Sequence, residues 1–263
     1  MGQSGVSIRS LTHISKKSVD DPKTDKLNGR DNFMLETKGR VVMISGASRG
    51  IGRAVTERLL GEGYKVSGGM RNPDPSRENE QMMVHAYDAE TAGSAEAWVE
   101  ATIKRFGRID AIVNAAGINP RVRISDQGED LLDDMWRVNV KGPLRVVRAA
   151  LPHLEQSGTG RVINLGSLSG KRVASNVGYA MTKFAVVAMT HGIRREGRDA
   201  GIRATVVCPG YVATDMTIND FEIGRHEMTQ PEDLAELIAT VMRLPNNAAV
   251  SELLVHCQFE PML

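Results

Sequence analysis

Tyr179 and Lys183 stand four residues apart in the segment Tyr179-Ala180-Met181-Thr182-Lys183. On a helix this spacing stacks the two side chains on one face. A phenol titrates near 10 and is a poor acid–base group at neutral pH, but a nearby ammonium favours the phenolate and lowers that value. The pair alone is a weak signal, because Y-x-x-x-K arises by chance in many helices. Ser167 strengthens it. This serine lies 12 residues before Tyr179, just past the expected strand Arg161–Leu165. Strand ends in parallel α/β sheets are where ligands bind. Serine, tyrosine and lysine can therefore converge beside a bound cofactor.

A route for that cofactor is written near the start of the regular pattern. The segment Ser45-Gly46-Ala47-Ser48-Arg49-Gly50-Ile51-Gly52 follows the apolar run Val41–Ile44. Its glycines are spaced G-x-x-x-G-x-G, unlike the commoner G-x-G-x-x-G dinucleotide fingerprint. The physics is shared: a missing side chain allows a sharp turn and a close pyrophosphate, and the following helix offers free N–H groups and a positive dipole end. A plain glycine turn is the alternative, and its place after the first buried strand favours the phosphate reading. Sites for NAD usually carry an acid at the end of the second strand. Here that strand runs into Gly68-Gly69-Met70-Arg71, with arginine where the acid would stand. Arg49 is a second guanidinium on the same side. Guanidinium forks match phosphate, so the pair points to the 2′-phosphate of NADP; the bland alternative is two solvated surface arginines.

The elements that must position these residues alternate between strand and helix. Strands are expected at Val41–Ile44, Tyr64–Gly68, Met82–Ala86, Ile109–Val113, Arg161–Leu165, Ile202–Val207 and Leu253–His256. Helices are expected over 50–60, 91–106, 131–156, 179–200 and 231–243, with Trp98, Ala101 and Arg105 sharing a face of the second. Such alternation predicts an α/β fold: a Rossmann-like, doubly wound parallel sheet of about seven strands with helices on both faces. Residues 1–38 are rich in Ser, Lys, Asp and Asn and read as a flexible N-terminal extension; 39–263 read as one dinucleotide-binding and catalytic domain.

Composition narrows the classes. The chain has 263 residues, 41% apolar and 25% charged, with a net charge of +1. That is ordinary for a soluble domain and gives no electrostatic footprint for nucleic acid. Two cysteines, Cys208 and Cys257, make neither a disulfide framework nor a zinc signature. No metal site is expected, and a reducing, cytoplasmic setting is. No apolar run approaches the 18 residues of a membrane span.

At this point the chain resembles the short-chain dehydrogenase/reductase family, in its single-domain branch, from about residue 40 to 245. Besides the glycine turn (Gly46, Ser48, Arg49, Gly50, Ile51, Gly52) and the Ser–Tyr–Lys set, further segments match in order. Asp88 resembles the adenine-contacting acid. Asn114-Ala115-Ala116-Gly117 resembles the N-A-G motif that supports the sheet and borders the cofactor. Asn139 matches a helical asparagine. Pro209-Gly210-Tyr211-Val212-Ala213-Thr214 matches the P-G…T segment that holds the nicotinamide amide. The resemblance implies a hydride transfer between NADP and a small carbonyl or alcohol. Tyr179 would be the acid/base. Lys183 would bind the nicotinamide ribose and lower the tyrosine pKa, Ser167 would hold the substrate oxygen, and Asn139 would hold a water linking Lys183 to solvent. It also implies a homodimer or homotetramer, and Ala149, Ala150, Leu154, Ala185, Ala188, Met189 and Gly192 are small or apolar enough to serve such contacts.

Two departures stand out: the Ser–Tyr spacing is one residue short of a common family form, and the last strand lacks a frequent glycine pair. Two alternatives stay open: an NAD-dependent alcohol dehydrogenase, and a non-catalytic dinucleotide-binding regulator on the same fold. Among other residues, Cys208 is expected to be a buried hydrophobe. His85 and His191 are expected to be structural, Arg121 and Arg123 to be solvated, and Asp133 and Asp134 to form an exposed first helical turn. The stretch Asp215–Thr229 reads as a partly apolar lid and does not identify the substrate.

Overall fold

The computed structural model describes residues 34–173, 176–218 and 223–260. Seven parallel strands form one sheet in the order β3-β2-β1-β4-β5-β6-β7. They are β1 (Val41–Ser45), β2 (Lys65–Met70), β3 (Met82–Ala86), β4 (Ala111–Asn114), β5 (Arg161–Leu165), β6 (Arg203–Pro209) and β7 (Glu252–Val255). The helices are α1 (Gly50–Gly61), α2 (Ser94–Phe106), α3 (Asp130–Trp136), α4 (Gly142–Ser157), α5 (Val177–Glu196) and α6 (Pro231–Arg243).

The uninterrupted apolar run of β1 has a physical reason, since both faces of the strand are covered. Val42 and Ile44 face a core built with Val55 and Leu59 of α1 and Leu234 and Ile238 of α6. Met43 faces the opposite core with Trp98 of α2 and Val146 and Leu154 of α4. Val186 and Val187 of α5 pack with Val206 and Cys208 of β6. The strand order reverses between β1 and β4, and Ser45 pairs with both Gly69 and Asn114, so the carboxyl ends of three strands lie level at the reversal. A crevice at that point is the ligand site of such sheets.

Two expectations need correction. The expected single helix over 131–156 is two helices joined by a π turn at Arg137–Lys141. Apolar periodicity continues across that turn, which hides it from a sequence reading. The second strand runs on to Met70, because Gly69 pairs with Ser45 and His85 and Met70 with Ala86; the Trp98 ring lies over Gly69, where a β-carbon would be 2.7 Å from it. The buried stripe of α2 is Ala95, Trp98, Val99 and Thr102, while Arg105 is exposed. Its polar members are satisfied, with the Trp98 Nε1–H donating to Ser67 Oγ at 2.9 Å and Ser67 Oγ 2.7 Å from Thr102 Oγ1. Residues 34–38 are tied down by Leu35 N–H donating to Arg243 O at 2.6 Å and Thr37 Oγ1 donating to Glu62 O at 2.6 Å. The remainder of the expected N-terminal extension lies outside the described residues.

Candidate active site

The site begins at the turn between β1 and α1. Gly46 and Gly50 have φ of +70° and +54°, a region that side chains rarely adopt. Gly52 faces the turn so closely that a β-carbon would lie 2.3 Å from Gly46 O. Across the strand reversal, Ser45 Oγ accepts from Ala115 N and Ala116 N at 3.2 and 3.3 Å. The start of α1 has no side-chain cap and no acid in its first turn. Its N–H groups are therefore left without a side-chain cap and are available to a negative group.

They face a cleft of about 330 Å³. Gly46, Ser48, Arg49, Gly50, Ile51 and Gly52 line one wall, and Arg71 and Asp88 line the side toward β2 and β3. Ala115 and Gly117 form its floor beyond β4, and Thr214 closes the far wall. These cradled glycines and uncapped N–H groups fit a dinucleotide. The volume falls in the usual range for ligand clefts. The sequence reading missed other lining residues: Met70, Tyr87, Glu90, Ile118, Asp134, Val138, Asp215 and Met216. Only their positions after strand ends could have marked them. Asp134, expected on an exposed first turn, instead borders the cleft and pairs with Arg137.

Arg49 is not free. Its Nη1 lies 3.0 Å from Asp215 Oδ2, an exposed pair that joins the glycine turn to the segment after Thr214. Arg71 lines the cleft mouth on the other side, and its side chain is exposed.

The expected chemical residues stand beyond the floor. Asn176 caps α5 by accepting from Tyr179 N at 3.2 Å, and its amide holds Asn119 Oδ1 and Pro120 O, fixing the loop after β4 against the helix. Lys183, 5% exposed, donates to Leu165 O at 2.7 Å, and its Nζ is 5.4 Å from the centroid of the Tyr179 ring. Burial pulls its ammonium down to about 8. Burial also pushes the Tyr179 phenol up to about 12, against the opposing hydrogen bond with Ser167. Ser167 caps the short turn after β5, accepting from Ser169 N at 3.1 Å. Asn139 sits in the π turn. Its amide donates to Ile118 O at 2.9 Å and Thr182 Oγ1 at 3.2 Å, and its Oδ1 accepts from Ile118 N at 2.9 Å. Gly117 joins the two groups: a β-carbon there would lie 3.4 Å from Asn139 Oδ1 and 4.0 Å from Lys183 Nζ. The lysine thus abuts the floor of the cleft.

Six of the expected cofactor residues do not line the cleft: Tyr179 and Lys183, which stand beyond its floor, and Asn114, Pro209, Gly210 and Val212. Asn114 is buried below it, donating to Asn164 Oδ1 at 2.8 Å, in a chain that continues to Thr190. Pro209 ends β6, and Val212 is buried. Gly210 is covered by the C-terminal segment, where a β-carbon would meet the Glu260 carboxylate. Glu260 accepts from Tyr211 N at 3.1 Å.

Of the residues set aside, Cys208 and Cys257 are buried free thiols, and burial raises Cys208. His191 pairs with Glu252 at 2.7 Å, and Arg121 and Arg123 are exposed. Among the described residues, no helix is long and apolar enough to cross a membrane.

Residues 40–223 match the short chain dehydrogenase family, and the chain belongs to it. It is 38% identical to an agropine synthesis reductase of Rhizobium rhizogenes over 227 residues, 84% of this chain and 53% of that protein. The chain spans about half the length of that relative. It superposes on the structure of an alcohol dehydrogenase from the archaeon Thermococcus sibiricus, complexed with 5-hydroxy-NADP, with a TM-score of 0.76 and 27% identity, covering 84% of this chain and 97% of that one. It also superposes on 3-ketoacyl-(acyl-carrier-protein) reductase from Brucella melitensis, complexed with NADH, with a TM-score of 0.76 and 25% identity, covering 84% and 98%.

Proposed function

We propose that this oxidoreductase moves a hydride between NADP(H) and a small carbonyl or alcohol. The observation that carries the reading is the junction at Gly117, where the glycine-lined cleft meets Lys183, Asn139 and, through α5, Tyr179. When bound, the nicotinamide supplies the hydride chemistry. The chain's own residues do the rest. The glycine turn and the α1 N-terminus hold the pyrophosphate. Tyr179 gives or takes the proton at the substrate oxygen, and Ser167 orients that oxygen. In the present arrangement burial holds the phenol high and the ammonium low, with the ammonium turned to Leu165 O; the ammonium brought beside the phenol would lower the phenol, which is the role proposed for Lys183. Both side-chain ends of Asn139 are taken by Ile118 and Thr182. Any proton-relay water would then rest on a main-chain carbonyl of the π turn.

The preference for NADP rests on Arg49 and Arg71 at the cleft mouth and on the absence of an acid at Met70. The family is known here with either cofactor form bound, so the NAD-dependent alternative is the competing outcome of the test. We also read the outer face of α5 as an oligomer contact. Met181, Phe184 and Ala188 lie exposed there, whereas Ala150 and Leu154 pack on the chain's own core.

The test is NADPH oxidation with a panel of small carbonyls, by wild type and Tyr179→Phe. Loss of the phenol oxygen lowers turnover by about 10²–10⁴-fold with little change in NADPH affinity. Unchanged turnover removes Tyr179 from its role, and a wild type that binds NADH as tightly as NADPH replaces the cofactor.

A further inference from the structure

A second concave site lies at the opposite end of the sheet from the cleft. Arg203 opens β6, and that strand of seven residues spans about 20 Å to its cofactor end. Around Arg203, a groove of about 570 Å³ is lined by His191, Arg194, Arg195, Arg198 and Ala249. No carboxylate lines it. Among the described residues, Arg194, Arg195 and Arg198 form no ion pair. Glu252, which borders the groove through His191, is already engaged: it pairs with Lys171 at 2.6 Å and His191 at 2.7 Å.

Arg203 is held differently from a solvated arginine. Its Nε donates to Asn246 O at 2.7 Å, and its Nη1 donates to Arg198 O and Ile202 O at 3.0 and 2.9 Å. Its partners are all neutral carbonyls, so the guanidinium is fixed in place with its charge uncompensated and Nη2 left over. The C-terminal end of α5 contributes a counter-charge of about half a unit. That suits one or two cations, and four guanidiniums in one groove exceed it. An anion seated among them would offset the charge that the helix end leaves over. Planar forks, one of them preorganised, match phosphate oxygens through paired bonds. The volume is that of a small-molecule site.

We propose that this groove binds a small phosphate-bearing polyanion, with Arg203 as the fixed anchor and Arg194, Arg195 and Arg198 closing around it. The site is independent of the dinucleotide cleft and of its cofactor preference. Calorimetric titration of the full chain with pyrophosphate tests it, at physiological ionic strength and with the cleft saturated by nicotinamide dinucleotide. The expected result is one saturable site per chain. The Arg194→Ala/Arg198→Ala double variant changes two exposed side chains and leaves the fold intact. It weakens pyrophosphate at least about tenfold, while dinucleotide affinity is unchanged. Arg203→Lys keeps the charge, loses the fork and weakens binding several-fold. ADP binding tighter than pyrophosphate supports a nucleotide site, and equal binding supports a site that reads the phosphates alone. Absence of saturable binding, or binding unchanged in the double variant, overturns the proposal.

Discussion

Replacing Lys183 with methionine is expected to stabilise the fold while removing its chemistry. Lys183 is 5% exposed, and its ammonium has one hydrogen bond, to Leu165 O at 2.7 Å. Burial lowers its pKa from 10.5 to about 8. At about 1.4 kcal/mol per tenfold change in acidity, folding penalises the charged form by about 3 kcal/mol. Methionine keeps the unbranched shape and carries no charge. It leaves Leu165 O without a donor, which costs about 1–2 kcal/mol. The net gain near pH 7 is therefore about 1–2 kcal/mol. The sign with pH follows from the lowered folded-state value. Between about 8 and 10.5 the unfolded chain binds the proton and the folded chain does not, so wild-type stability rises with pH across that window. The advantage of Lys183→Met is full below about pH 8 and has gone by about 10.5. Urea unfolding of both proteins at pH 7 and pH 10, without cofactor, measures it. A variant less stable than wild type at pH 7, or a difference that is the same at both pH values, refutes the reasoning.

Asp215→Asn frees Arg49 from an exposed pair worth about 0.2–1 kcal/mol, so the ratio of NADH to NADPH dissociation constants should rise about 1.4- to fivefold at low salt. An unchanged ratio would mean that Arg49 does not read the 2′-phosphate. Asp110 is fully buried, and its carboxylate accepts from Val41 N at 2.9 Å, Ser157 Oγ at 2.8 Å and both arms of Arg108 at 2.8 and 2.6 Å. Burial alone would raise its pKa, but Arg108, Val41 and Ser157 together hold it below the usual carboxylate value. Its contribution is present above the unfolded value near 4 and fades as pH falls through the lower folded one. Asp110→Asn is expected to cost on the order of 2–4 kcal/mol at pH 7, with acid unfolding less steep than in wild type; equal denaturation midpoints would contradict this. Light scattering at micromolar concentration should give the mass of a dimer or tetramer, and a monomer mass would rule out α5 as a contact face.

The sequence by itself determined the order of the elements and the chemical kinds of residue at each strand end. The unbroken apolar run at Val41–Ile44 and the β-branched, mostly apolar stretch Ile202–Val207 fitted parallel strands buried on both faces. The glycine spacing after the first run could be read because glycine alone suits φ of +70° and +54° at Gly46 and Gly50. Tyr179 and Lys183 could be placed on one helix face because helical spacing is local. What depends on nearest neighbours in the chain was legible.

Only the tertiary structure decided which residues face one another. The π turn that carries Asn139 interrupts a helix without changing its apolar pattern, so periodicity cannot reveal it. Asp215 lies 166 residues from Arg49, and no local rule forecasts their pairing across the cleft. Glu260 reaches Gly210 from the far end of the chain and covers a position expected to face the cofactor. The basic groove is assembled from the end of α5, the start of β6 and the approach to β7, where four arginines that look like scattered surface charges in the sequence share one concavity. The direction of the Lys183 shift was also decided in space. Spacing suggests an ammonium acting on a phenol, but burial, which depends on the whole packed core, lowers the one and raises the other.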